Sequence, residues 1–150
     1  MDDPRVEMQA ALKKAMIAKE SLRRDVLRLT MSAFKQVEVD ERKELTAEDA
    51  MNILQREVKK RRESIDEARK AGRQDIVDQE ELELTYLIVF LPTQLTRDEI
   101  VALVREVITE SGATSAKEMG KVMGLLSPKV KGKADGKLVN EIVREQLPNA

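Results

Sequence analysis

The sequence predicts an all-α protein, an N-terminal helical bundle followed by a compact three-helix C-terminal unit. Three observations predict it. Apolar residues recur at spacings of three and four along most of the chain, and no period-two run of useful length interrupts them. Thr or Ser stands three residues before an acid at the head of several of these runs, as in a capping box. The aromatic residues are Phe34, Tyr86 and Phe90, so the core must be aliphatic and Met-rich, whereas strands lean on aromatic and β-branched side chains.

Taken in order, Asp3 and Pro4 read as an N-cap and first helical residue, opening a helix to about residue 20 with Val6, Leu12 and Met16 inward. Ser21 is expected to cap a second helix whose inner face is Leu22, Val26, Leu29, Ala33 and Val37. The charged run 40–44 reads as a loop. Thr46 and Asp49 cap a third helix carrying Ala50, Ile53, Leu54, Val58, Ile65 and Ala68, which Gly72 ends. A fourth helix holds Ile76, Leu84, Leu87 and Phe90, and Pro92 stops it. The stretch 92–95 reads as a linker, giving an N-terminal domain over 1–91 and a tail-like domain over 96–150.

In the second part, Thr96 and Glu99 form a capping box before Ile100, Leu103, Val104, Val107 and Ile108, with Gly112 as the C-terminal cap. Ser115 and Glu118 predict another box, before a short helix through Met119, Val122, Met123 and Leu126. Residues 127–136 read as a basic turn region. Asp135 caps a last helix with Leu138, Val139, Ile142, Val143 and Leu147 on one face, ended by Pro148.

Of the 150 residues 37% are charged, well above the usual level of about 25%. The excess fits amphipathic surface helices. The net charge of −1 names no polyanion partner, so any nucleic-acid role must rest on local patches. There is no cysteine and no histidine. That removes disulfides, thiolate nucleophiles, the commonest general base and the commonest transition-metal ligands. No catalytic residue, metal ligand or cofactor site is therefore assigned. No stretch approaches the roughly 20 apolar residues of a membrane span, and residues 1–4 lack a signal peptide's basic and apolar regions. The expectation is a cytoplasmic protein without a membrane partner.

Charge is unevenly spread. Residues 117–137 hold six lysines against Glu118 and Asp135, a local +4. Four of the six glycines, Gly120, Gly124, Gly132 and Gly136, fall in the same segment. Alternating lysines on a Gly-containing turn suit phosphates, because small residues let a backbone approach and nearby helix N-termini add amide donors. A solvated lysine loop is the plainer alternative. Gly120 and Gly124 also form a small-xxx-small pair, which in a chain of this kind predicts close packing against a neighbouring helix. A second +4 patch spans 55–73, with Arg56, Lys59, Lys60, Arg61, Arg62, Arg69, Lys70 and Arg73 against four acids. An exposed, pair-laced helix face is the preferred reading there. The acids of 75–83 would neutralise part of it if helices three and four run antiparallel.

Other chemistries leave no trace. Gly132-Lys133 has Ser127 where a phosphate loop needs its first glycine. No dinucleotide fingerprint or serine elbow is present. With no aromatic platforms, RNA binding would read backbone and shape more than bases.

Residues 119–124 (Met-Gly-Lys-Val-Met-Gly), 128–136 (Pro-Lys-Val-Lys-Gly-Lys-Ala-Asp-Gly) and Leu138-Val139-Asn140 resemble the motif of the GatB/YqeY family. Phe90-Leu91-Pro92-Thr93-Gln94-Leu95 is similar to that family's Tyr-Leu-Pro-x-Gln-Leu segment, with Phe for Tyr. Residues 56–61 and 71–73 also resemble its free-standing members. The resemblance implies an all-helical bundle with a three-helix tail, the module that ends the B subunit of the tRNA-dependent amidotransferase. There the tail recognises tRNA while phosphorylation and amidation reside elsewhere. It implies an RNA-binding role for Lys121, Lys129, Lys131, Lys133 and Asn140, with Gly120, Gly124, Gly132 and Gly136 allowing close approach.

The expected partners are tRNA or another structured RNA, and an amidotransferase or aminoacyl-tRNA synthetase. Two alternatives stand beside this reading. One is a protein-interaction adaptor docking an acidic partner. The other is a carbon–nitrogen ligase using glutamine as amido donor, against whose autonomy the missing His, Cys and nucleotide loop argue.

Overall fold

Helix formation begins where local chemistry permits it. The Asp3 carboxylate accepts the Arg5 N–H at 3.0 Å, and Pro4 takes the first helical position, where its missing N–H costs nothing. The computed structural model that follows from this chain describes residues 2–147. Among them are seven α-helices: α1 (Pro4–Ile17), α2 (Ser21–Glu41), α3 (Ala47–Lys70), α4 (Gln74–Ile88), α5 (Arg97–Ser111), α6 (Met119–Val130) and α7 (Gly136–Gln146). A single 3-10 turn, Ala116–Glu118, precedes α6. The protein is all-α. Its contacts gather into two compact units, one up to Leu91 and one from Pro92.

The first unit is α1 to α4 around a core of Met8, Val26, Leu27, Phe34, Leu54, Val58 and Leu87. Two inner faces differ from expectation. On α1 the buried stripe is Met8, Ala11 and Ala15, while Val6 is 71% and Met16 48% exposed. Val6 and Met16 each lie about 140° around the helix from Ala11. Small alanines let α1 sit close to its neighbours, and that contact decides which stripe turns in. On α2 the buried set is Val26, Leu27, Thr30 and Phe34, and Leu29 is 66% exposed. Val26 is in the core and Leu22, Ala33 and Val37 pack against it as expected; Leu29 alone turns out, because the face rotates to bury the larger apolar area of Leu27 and the Phe34 ring. The buried Thr30 hydroxyl donates to the Val26 carbonyl at 2.9 Å, so its burial leaves no orphan group.

Ser21 is the first residue of α2, not its cap. Glu20 precedes it and makes no capping bond. The helix runs on to Glu41, and Arg42 ends it in the left-handed region at φ +53°. Arg5 ties this end down, its guanidinium donating to Asp3, to Glu38 and to the Leu45 carbonyl.

The Thr46–Asp49 capping box opens α3, and Ala50, Ile53, Leu54, Val58, Ile65 and Ala68 are all buried, with Met51. Gly72, at φ +71°, turns the chain into α4. There Val77 is buried rather than Ile76, packing against Ile65 and Ala68. Arg61 pairs with Glu83, and Arg69 with Glu81 at 2.8 Å, so α3 and α4 run antiparallel.

The second unit packs α5, α6 and α7 around Ile100, Val104, Val107, Val122, Leu126, Ile142 and Val143. The Thr96–Glu99 box opens α5, and Gly112 closes it at φ +71°. Ser115 makes no capping bond. Glu118 instead accepts the Thr114 N–H at 2.6 Å, and α6 starts one residue later. Nor is 127–136 all turn, because α6 continues through Pro128 to Val130. Val122, Leu126 and Val130, spaced by four, keep one face on the core, and their packing outweighs the bond that proline cannot donate. Asp135 caps α7 by accepting the Lys137 N–H at 3.2 Å. Pro148, expected to end α7, lies outside the described residues.

Candidate nucleic-acid interface

The extension of α6 reorganises the basic segment. On a helix of 100° per residue, Gly120, Lys121, Gly124, Ser127, Pro128 and Lys131 share one face within about 60° of Gly124. All six are exposed. Lys121 and Lys131 stand about 15 Å apart along the axis. Between them the face carries no side chain longer than Ser127 or Pro128. The pairing of Gly120 and Gly124 does not serve packing against a neighbouring helix, as expected from sequence: a Cβ added at either meets nothing within 4 Å. The close-packing helices meet instead through Val122 and Leu126, on the opposite face.

Beyond α6 the chain turns through Gly132, at φ +74°, a conformation that penalises any residue with a Cβ. Two bonds hold this turn from a distance. The Gln94 side-chain amide donates to the Gly132 carbonyl at 2.8 Å and to the Pro92 carbonyl at 2.7 Å. The Leu95 N–H donates to the Lys133 carbonyl at 2.8 Å. Gln94 and Leu95, which read as linker in the sequence, therefore position the lysine turn. A Gln two residues after a proline carries no local sign of a partner 38 residues away.

The candidate residues separate accordingly. Gly124, Lys131 and Gly136 line a groove of about 500 Å³ between α6, the turn and the start of α7. Lys121 and Gly120 extend the same face of α6. Lys133 is exposed on the turn, and neither it, Lys121 nor Lys131 makes an ion pair. Lys129 is carried about 140° away around α6 and pairs with Glu110 of α5 at 3.4 Å. Asn140 lies one turn into α7, on the face of Gly136 and Lys137, and does not line the groove. The N-terminus of α7, expected to offer amide donors, is occupied by the Asp135 carboxylate. That negative charge leaves the cationic character of the site to its lysines.

The other basic patch is a different case. On α3, Arg61 and Arg69 are engaged by Glu83 and Glu81 and Lys60 pairs with Glu57, while Arg73, just before α4, pairs with Asp75. The Asp75 carboxyl is held below its ordinary range chiefly by its hydrogen bond from Arg73. Four of the patch's eight cations, Lys60, Arg61, Arg69 and Arg73, are thus held in ion pairs, while Arg56, Lys59, Arg62 and Lys70 form none among the described residues. Among the described residues no group of His, Cys, Asp or Glu gathers so as to hold a metal ion, and no helix is long and apolar enough to cross a membrane.

The family model described as Yqey-like protein matches residues 5–147, nearly the whole chain. The chain belongs to the YqeY-like family. Its similarity extends to curated proteins named Altered inheritance of mitochondria protein 41, mitochondrial. The relative from Eremothecium gossypii is 33% identical over 90 residues, covering 59% of this chain and 49% of its own length. The relative from Lachancea thermotolerans is 34% identical over 112 residues, covering 72% and 59%. The relative from Kluyveromyces lactis is 33% identical over 103 residues, covering 66% and 55%. The chain thus spans about half the length of the curated relatives it matches. These relatives are named as mitochondrial, which overturns the expectation of a cytoplasmic protein. The absence of cysteine and of a long apolar run is compatible with any reducing aqueous compartment, so composition never separated the cytoplasm from the interior of a mitochondrion.

Proposed function

We propose that this YqeY-like chain is a tRNA-binding accessory protein, working beside an amidotransferase or aminoacyl-tRNA synthetase and performing no catalytic step of its own. One observation carries the reading: a helix face cleared of long side chains between unpaired Lys121 and Lys131, continued by Lys133 on a pinned turn. A phosphate backbone laid along this face would meet cations at both ends and no obstruction between them. The mitochondrial names of the relatives make an organellar tRNA a natural setting.

The test is binding of labelled total tRNA across a salt series, comparing wild type with a Lys121→Ala, Lys131→Ala, Lys133→Ala variant. Wild type binds with steep salt dependence, and the variant loses about 2–3 units of the log–log slope, as expected for three lost phosphate contacts. Lys129→Ala, whose side chain is turned to Glu110, binds as wild type. Equal binding by the triple variant sinks the reading.

A protein partner on a surface other than the basic helix has an observation of its own. On α1, Val6 at 71% and Ile17 at 83% exposure flank Lys13 on an outer face. If the tRNA test fails, that face is the place to seek a protein partner by substituting Val6→Ser and Ile17→Ser.

A further inference from the structure

We infer that the groove between α6 and the start of α7 is a pocket for one unpaired RNA nucleotide, its base on the groove floor and its phosphate on Lys131. This rests on the RNA-binding reading above and adds what part of the RNA is read.

The groove, about 500 Å³, falls in the size range of small-ligand sites. Its floor is apolar, formed by Met123, Val130 and Val139. Such a floor takes the face of a base without an aromatic partner, and a thioether makes favourable contacts with a π-system. Two polar groups suit a base edge. The Ser127 hydroxyl lines the groove and makes no hydrogen bond. The Gly124 carbonyl lacks the donor it would receive from residue 128, because Pro128 has no N–H. Lys131 stands at the rim without an ion pair, supplying the charge that a nucleotide's phosphate complements.

Gly124 points the same way. Glycine within a helix costs about 1 kcal/mol relative to alanine. Its φ here is not in the left-handed region, and a Cβ would meet nothing within 4 Å. Neither backbone nor internal packing calls for glycine at this position. A side chain there would project into the groove, so the bare position serves an occupant from outside. A base held in a duplex stack cannot enter such a pocket, which selects unpaired nucleotides.

The test uses a short unstructured RNA and the same sequence as a blunt duplex, titrated against the full chain by fluorescence anisotropy. Wild type binds the single strand about tenfold more tightly, the worth of one buried base. Gly124→Leu fills the groove, and its single-strand affinity drops to the duplex level while the thermal midpoint does not fall. Gly124→Ala, a smaller filling that favours the helix, gives an intermediate loss and serves if the leucine variant misfolds. Undiminished single-strand binding by both variants overturns the pocket, as does equal wild-type affinity for the two RNAs. If binding still depends on Lys121, Lys131 and Lys133 in that case, the phosphate-binding reading survives without the pocket. Failure of wild type to bind either RNA overturns the pocket, and the tRNA titration decides the phosphate-binding reading separately.

Discussion

The side-chain amide of Gln94 spans 38 residues of sequence to donate to the main-chain carbonyl of Gly132 at 2.8 Å. It makes a segment outside the helices responsible for the shape of the lysine turn. Gln94→Ala leaves the Gly132 carbonyl without this donor. The expected results are a stability loss of about 1 kcal/mol in urea unfolding and a weaker affinity for tRNA at constant charge. Unchanged tRNA affinity would show that the turn holds its form without Gln94.

Two glycines in this region should respond oppositely to the same substitution. Gly132 sits at φ +74°, so Gly132→Ala is destabilising by about 1–2 kcal/mol. Gly124 is helical and faces open space, so Gly124→Ala is stabilising by up to about 1 kcal/mol. Paired denaturant melts of the two variants read the sign directly. A loss of stability in Gly124→Ala would mean that the glycine serves internal packing after all.

Arg61 and Glu83 join α3 to α4 with both side chains 16% exposed. Glu83→Ala strands the guanidinium at a poorly hydrated position and is expected to cost about 1–3 kcal/mol. Because the pair belongs to the paired surface of α3, tRNA affinity should not move. Circular dichroism melts and an RNA titration of the one variant check both halves.

At the N-terminus, the Asp3 carboxyl is held below its ordinary 3.8 chiefly by the hydrogen bond from Arg5. A carboxyl depressed in the folded state contributes stability above its unfolded value, and that contribution is lost as pH falls through the folded value. The thermal midpoint should therefore decline as pH drops from about 5 toward about 2. In Asp3→Asn it should start lower at neutral pH and decline less. Parallel pH profiles for the two proteins would contradict this role for Asp3.

Much of this fold is local, and local features were legible. The Thr46–Asp49 and Thr96–Glu99 boxes, the Asp3 and Asp135 caps and the left-handed Gly72 and Gly112 follow from residues within four positions of one another. Their chemistry is complete without the rest of the chain. The buried face of α3 was equally plain, because charged residues leave it a single apolar stripe. Where a helix carries two apolar stripes, as α1 and α2 do, the sequence offers both and the neighbours choose. That is why Val6, Met16 and Leu29 are outside.

An all-helical chain, its caps and a segment rich in lysines and glycines are written in local sequence. Which of those residues act together depends on how the helices pack. Core contacts by Val122, Leu126 and Val130 carry α6 past Pro128, and this extension aligns Gly120, Lys121, Gly124 and Lys131 while turning Lys129 toward Glu110. The physical reason is that capping and helix periodicity act over a few residues. The direction a side chain faces is set by packing against elements far away in sequence, and the Gln94 to Gly132 bond exists only once that packing is complete.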